Sequence, residues 1–299
     1  MELSPIVLFV YNRPDHTRRT LEALRGNDLA GQSRLFIFSD GPKGEDDAAC
    51  VAEVSDIIGG VSGFASVEIV ERECNYGLAE SIIAGVTEIV ERFGRVIVLE
   101  DDLITAPGFL RFMNDALAFY EQDERIFSVT GVHFPIALPD GYPRRIYLSH
   151  RASSWGWGTW DDKWNKADWD VRDFDDFARD RKAQTLFNRG GEDLTDMLLA
   201  QQRGLTDSWA IRWCYTHFRN GAFCLYPTTS LLMNIGYDGT GVHCSTGDKY
   251  VKPLPTGDIG SIGMAKGIDI HPEITRNLER FYRRSWPKRL VRSIKRRFE

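Results

Sequence analysis

The chain has 299 residues, 42% of them hydrophobic and 27% charged, with a formal net charge of −6. Those fractions exclude a disordered or fibrous protein, and no run reaches the roughly 18 apolar residues of a membrane-spanning helix. Ten lysines and arginines lie between Arg276 and Glu299 against two glutamates, so the body ahead of them is strongly acidic, which argues against nucleic acid as a partner.

In chain order, the first half repeats a buried apolar run followed by a helical pattern. Ile6–Tyr11 is the first run; it is too short for a signal peptide and has Glu2 in place of a basic flank. Thr17–Arg25 is the first helix, closed by Gly26. Leu35–Phe38 follows, with the loop Asp40-Gly41-Pro42-Lys43-Gly44 and a helix ending near Ile58. Val67–Val70 leads through Asn75-Tyr76-Gly77 into a helix from Leu78 to Phe93. Val96–Leu99 is backed by a helix from Pro107 to Tyr120, and Ile126–Val129 makes a fifth strand. Alternating strands and helices with right-handed crossovers predict an α/β fold with a doubly wound, mostly parallel sheet. Ligands of such sheets bind outside the carboxyl ends of the strands. Four strands here end in polar residues, at Asn12-Arg13, Ser39-Asp40, Asn75 and Glu100-Asp101-Asp102, which topology gathers on one rim.

The acid triplet after Arg95-Val96-Ile97-Val98-Leu99 is the centre of the sequence. Three adjacent carboxylates at the mouth of a buried strand repel one another, and a cation relieves that cost; oxygen ligands of this kind suit Mg²⁺ or Mn²⁺. The alternative is a helix-start cluster, since acids are favoured at helix N-termini. The sequence contains no G-x-x-x-x-G-K-[ST] loop and no G-x-G-x-x-G after a strand: Gly156 and Gly158 begin one, but position 161 is Asp. This argues against a P-loop NTPase and against a dinucleotide dehydrogenase. A nucleotide held without a glycine-rich loop needs its diphosphate neutralised in another way, most simply by a metal on Asp102.

The second half changes character. Five tryptophans, Trp155, Trp157, Trp160, Trp164 and Trp169, fall within a short span. Beside glycines they suit flat stacking on sugar faces; the alternative is a tryptophan-rich corner of the core. A charged helical stretch runs from Phe174 to Gln202, after which Asp207 lies close to Trp209 and Arg212. The glycine- and threonine-rich loop from Asn234 to Gly247 reads as a lid around His243, a further candidate for phosphate or metal. Five scattered cysteines without Cys-x-x-Cys fit a reducing compartment rather than a disulfide framework or a zinc site. From Pro272 onward, Ile274, Leu278 and Phe281, then Leu290, Ile294 and Phe298, fall at helical spacing among arginines and lysines, with Pro287 dividing two helices. Such a tail suits an anionic membrane surface, or packing on the acidic body or on a second subunit.

Taken together, the motifs resemble a GT-A-type glycosyltransferase, most of all the N-acetylglucosaminyltransferase I family of inverting enzymes and its bacterial relatives. The residues that carry the likeness are Tyr11-Asn12-Arg13, Val98-Leu99-Glu100-Asp101-Asp102-Leu103, Trp155-Gly156-Trp157, Trp164-Asn165-Lys166-Ala167-Asp168-Trp169 and Asp207-Ser208-Trp209 before Arg212. The resemblance implies a Rossmann-like GT-A fold. Residues 1–130 would be its nucleotide-sugar half, 131–270 its acceptor-binding and catalytic half, and 271–299 a basic amphipathic tail. It implies a donor site of Tyr11, Asn12, Arg13, Asp40, Asn75, Gly77, Glu100 and Asp101, with Asp102 as ligand of Mn²⁺ or Mg²⁺. Asp207 would be the catalytic base, with Asp161, Asp162 and Asp168 next in line. Trp155, Gly156, Trp157, Trp209 and Arg212 would face the acceptor or the sugar. The family's base sits in a Trp-Asp-x-Trp setting, whereas Thr206 stands in place of the first tryptophan here.

The expected reaction moves a sugar from a UDP-sugar such as UDP-GlcNAc to a hydroxyl of a glycan or lipid-linked acceptor, with inversion. The expected setting is bacterial polysaccharide synthesis in the cytoplasm, peripheral on the inner membrane. Two other readings are a sugar-phosphate nucleotidyltransferase and a non-catalytic carbohydrate-binding protein. The first wants a glycine-rich, arginine-bearing loop after the first strand, and Asn12-Arg13-Pro14-Asp15 is not one.

Overall fold

The computed structural model describes residues 2–238, 254–255 and 262–283; His243, Cys244 and everything after Arg283 lie outside the described residues. The first four strand–helix units form as the apolar runs predict: β1 (Ile6–Val10), α1 (Pro14–Arg25), β2 (Arg34–Ser39), α2 (Glu45–Gly59), β3 (Ser66–Glu71), α3 (Leu78–Phe93), β4 (Arg95–Glu100), then β5 (Leu103–Thr105), α4 (Phe109–Tyr120) and β6 (Ile126–Thr130). β1, β4 and β6 are buried almost throughout, which explains their unbroken apolar character.

The second half adds β7 (Ile146–Ser149), β8 (Trp157–Trp160), α5 (Asp161–Trp164), α6 (Phe174–Arg179), α7 (Arg181–Phe187), α8 (Leu194–Gln202), α9 (Trp209–Arg219), β9 (Phe223–Pro227), β10 (Leu232–Asn234) and α10 (Pro272–Phe281). The main sheet has eight strands in the order β3-β2-β1-β4-β8-β6-β9-β7. β8 runs antiparallel to β4 and β6, and β7 antiparallel to β9, while the remaining pairs are parallel. The sheet is therefore mostly parallel, with buried residues of α1, α2 and α4 packed on one face and those of α3, α8 and α9 on the other.

Two expectations change here. The Trp-Gly-Thr-Trp stretch is not an exposed aromatic platform but the central strand β8, and Trp157 and Trp160 are buried. The Phe174–Gln202 stretch is three helices. Asp180 breaks the first from the second, its carboxylate accepting from the backbone N–H groups of Lys182 and Ala183. Gly191, at φ +142, breaks the second from the third. Within the tail, Ile274 and Leu278 of α10 are buried in the core, and Phe281 stacks on Phe134. That part of the tail packs on the body.

Candidate active site

The rim outside β4 is built by two local devices. Arg13 is the residue immediately before α1, and Pro14 opens the helix with its φ preset. The Thr20 hydroxyl of α1 donates to the Asp101 carbonyl at 2.7 Å, and Asn27 Nδ2 donates to Thr105 Oγ1 at 2.9 Å, so α1 is tied to the segment after β4. The second device is the two-stranded pairing of β5 with β10, Leu103 opposite Asn234 and Thr105 opposite Leu232. It brings a segment some 130 residues later in the chain onto the acid triplet (roughly the separation of Asp102 from Asn234). Ile235 N–H donates to the Asp102 carbonyl at 2.8 Å, and Asn234 Nδ2 to Asp102 Oδ1 at 3.2 Å.

Arg13 sits against the triplet. Its Nε donates to Asp101 Oδ2 at 3.3 Å, its Nη2 pairs closely with Asp101 Oδ1, and its Nη1 lies 3.1 Å from Asp102 Oδ2. One guanidinium thus faces three acids. Burial, then the charges of Asp102 and Asp101, push the Glu100 carboxyl up to about 8, against the opposing pull of Arg13. Burial also raises Asp101, to about 6, even though Arg13 draws it down. The cluster keeps negative charge that one arginine does not cancel.

A second group holds the neighbouring strand ends. Asp40 is buried, accepting on Oδ1 from Arg72 Nη1 and the Ser81 hydroxyl, each at 2.9 Å, and on Oδ2 from Tyr76 N–H at 3.2 Å. Asn75 Nδ2 donates to the Gly41 carbonyl, and its Oδ1 accepts from Gly77 N–H. Gly77, at φ +80, turns the chain into α3. Asp40 and Asn75 therefore shape the rim from beneath instead of presenting free polar atoms to it. The Tyr11 hydroxyl donates to Asp47 at the start of α2, and Asn12 is partly buried beside it.

A cavity of about 160 Å³ is lined by Phe134, Arg151, Ser153, Trp155, Ile211 and Tyr237, among others, and Tyr237 directly follows Gly236, which stands against Asp102. Trp155 is its accessible aromatic wall, 5.5 Å from the Phe134 ring and 5.8 Å from that of Tyr237. Arg151 is ion-paired with Asp193 at 2.9 Å and lies 3.9 Å from the Tyr282 ring. Of the other residues expected to face a sugar, Trp157 and Trp209 are core residues. Their rings stack 4.9 Å apart and are 0% and 3% exposed, so neither offers a face to a ligand. Gly156 is needed for packing: at φ +50, its added Cβ would stand 2.1 Å from Leu232. Asp207 does not line the cavity. It is exposed just ahead of α9, with Arg212 Nη2 donating to it at 3.3 Å, while α9 contributes Ala210 and Ile211 to the cavity wall. Arg212 also donates to the Ser208 and Trp169 carbonyls, which fixes the loop.

Among the described residues no three His, Cys, Asp or Glu side chains form a ready metal cage. The donor set still fits Mg²⁺ or Mn²⁺, because such ions are commonly held by one or two carboxylates together with substrate phosphates. Asp102, at the rim with uncancelled negative charge beside it, is the carboxylate that would serve. The residues that sequence reasoning missed are Arg72, Ser81, Asn234 and Gly236. Arg72 directly follows β3, a position where the other strands had already signalled polar rim residues. The closeness of Asn234 and Gly236 to Asp102 had no local signal.

No family model matches the chain. Over 93 residues it is 34% identical to an alpha-1,3-mannosyl-glycoprotein 2-beta-N-acetylglucosaminyltransferase of Arabidopsis thaliana, covering 26% of this chain and 20% of that protein. The likeness is thus to an N-acetylglucosaminyltransferase, as the motifs led one to expect, and it spans a fifth of that relative's length. Solved structures with partial likeness include S. aureus TarS 1–349 in complex with UDP, 11% identical with a TM-score of 0.39 over 78% of this chain and 60% of that one. The galactosyltransferase LgtC in complex with donor and acceptor sugar analogs is 10% identical, with a TM-score of 0.39 over 74% and 72%. The mannosyltransferase PcManGT from Pyrobaculum calidifontis, in complex with GDP-Man and Mn²⁺, is 12% identical, with a TM-score of 0.30 over 43% and 35%.

Proposed function

We propose that the chain is an inverting glycosyltransferase that moves a sugar from a UDP-sugar, such as UDP-GlcNAc, to a hydroxyl of a glycan or lipid-linked acceptor. The observation that carries this reading is the placement of Glu100, Asp101 and Asp102 at the carboxyl end of β4, beside Arg13 and linked through the Gly236–Tyr237 turn to a cavity walled by Trp155 and Tyr237. The donor's diphosphate lies on the rim between Arg13 and Asp102, and the sugar reaches toward the cavity. A divalent ion on Asp102 would supply charge neutralisation for the leaving diphosphate. Asp207 accepts the acceptor hydroxyl's proton as its oxygen bonds to the anomeric carbon; the bond from that carbon to the diphosphate breaks on the opposite face. Attack from the opposite face inverts the centre, and no enzyme nucleophile takes part.

The test is release of UDP from UDP-sugars in the presence of Mn²⁺, with and without acceptor. Asp207→Asn is expected to bind donor normally and to transfer sugar about a hundredfold more slowly, in line with the loss of a positioned general base. Near-normal turnover by that variant would move the base to Asp161, Asp162 or Asp168, and donor binding without any transfer by the unaltered chain would favour a carbohydrate-binding protein. The basic residues after Tyr282 extend the reading to an anionic membrane surface on which a lipid-linked acceptor would be met.

A further inference from the structure

Arg13 is placed by its backbone and not only by its charge. The helix that begins at Pro14 and the turn after it are tied to the segment that follows β4 through Thr20 and Asn27, so the base of the Arg13 side chain is fixed while its guanidinium reaches across two carboxylates. The Arg13 side chain is 19% exposed, and those of Asp101 and Asp102 are 6% and 9%. Both oxygens of Asp102 are in use, Oδ2 by Arg13 and Oδ1 by Asn234. The turn at Gly236 closes over the pair: a Cβ there would stand 2.3 Å from Asp102 Oδ2 and 3.1 Å from Arg13 Nη1. A divalent ion cannot take Oδ2 while the guanidinium stands there, since two cations in contact on one carboxylate repel strongly in a partly dry site. The cation is removable, because it hangs on a long flexible stem.

We propose that Arg13 is a built-in counter-ion that occupies Asp102 in the donor-free chain and hands it over to the divalent ion only when a diphosphate arrives to take the guanidinium. Metal and nucleotide then bind as a coupled pair, and Arg13 sets the size of the coupling. By linkage, UDP tightens Mn²⁺ binding by the same factor as Mn²⁺ tightens UDP binding. Part of that factor comes from direct metal–phosphate contact, and the remainder is the release of Arg13. The proposal rests on Asp102 being the metal ligand, as in the reading above, and concerns what holds that ligand before the metal comes.

The experiment is a titration of Mn²⁺, read by the loss of the free-ion electron paramagnetic resonance signal, into the full chain with and without UDP. Unaltered protein is compared with Arg13→Met, Arg13→Lys and Asp102→Asn. Arg13→Met is expected to bind Mn²⁺ alone at least about tenfold more tightly than the unaltered chain, with a correspondingly smaller gain from UDP. Arg13→Lys, a point charge that cannot bridge two carboxylates, is expected to fall between them and keeps the test open if the methionine variant folds poorly. Asp102→Asn is expected to lose Mn²⁺ binding in either background. If Arg13→Met and Arg13→Lys bind Mn²⁺ alone no more tightly than the unaltered chain, while that chain binds it with UDP, the counter-ion role is overturned and the metal-dependent reading stands. If the unaltered chain takes no Mn²⁺ even with UDP, the metal-dependent reading fails and the hand-over fails with it, even where Arg13→Met binds the ion.

Discussion

Asp102 and Asp207 are held in opposite surroundings, and each suits a different task. Asp102 is buried, accepts from Asn234 and pairs with Arg13, whereas the Asp207 side chain is 66% exposed and accepts from the tip of Arg212. Asp102→Asn is expected to keep the fold and to weaken Mn²⁺-dependent UDP binding at least about tenfold by calorimetry, since a neutral amide is a poor ligand for a hard cation. Glu100 makes a prediction about pH. Its carboxyl is raised from 4.5 to about 8, chiefly by burial, so the folded chain holds a proton there that the unfolded chain sheds. The resulting stabilisation is complete below the unfolded value and is lost as pH rises through that window to about 8. Glu100→Gln is expected to flatten the fall in Tm over this range, measured by thermal unfolding at several pH values; an unchanged slope would assign the dependence elsewhere. At this scale the triplet and Arg13 were legible because their types and positions after strands carry the signal, and Trp155 because it stands in an aromatic run beside glycines. The pairing of Arg13 with Asp102 was not, because it depends on a side chain crossing between two strand ends.

Among the elements, β8 separates what the sequence displays from what it conceals. β1, β2 and β4 announce themselves by unbroken apolar runs, because both faces of each of these inner strands meet helices, whereas β3, at the edge, is interrupted by Glu68 and lies largely exposed, not buried as its apolar residues suggested. Trp157-Gly158-Thr159-Trp160 is equally buried, yet it contains a glycine and a threonine, and so reads as a loop with aromatics. The glycine is there for proximity: a Cβ at Gly158 would stand 2.7 Å from the Val96 carbonyl of the neighbouring strand. The threonine donates its hydroxyl to the Phe127 carbonyl on the other side. Gly158→Ala is expected to cost about 1–3 kcal/mol, read as a lower urea midpoint with the same slope. A midpoint unchanged by the substitution would mean that β4 and β8 can spread without penalty. The three helices within Phe174–Gln202 were concealed for a different reason: Asp180 and Gly191 interrupt a composition that is helical throughout.

Across the whole molecule, the C-terminal part of the described chain belongs to the body. Ile274 and Leu278 are buried, and Tyr282 covers both Phe134 and Arg151 at the cavity. Ending the chain after His271 is therefore expected to lower Tm sharply, since burial of Ile274 and Leu278 alone contributes roughly 1.5–3 kcal/mol each. Ending it after Arg283 is expected to spare that packing and to abolish flotation with anionic vesicles; retained flotation would place the lipid contact elsewhere. The alternating pattern of the first half foretold the sheet and the rim. Pairings between distant segments, β5 with β10 and β4 with β8, leave no periodic trace and had to be seen. The position of β8 has a consequence for how the polypeptide is made. While it is being synthesised, β4 has no neighbour on its outer edge until Trp160 has left the ribosome, some sixty residues after the strand itself (the separation of Val98 from Trp157 in the ladder). A strand with four consecutive apolar residues at its centre is thus exposed along one side for several seconds at ordinary translation speed, which makes it a segment in need of a chaperone.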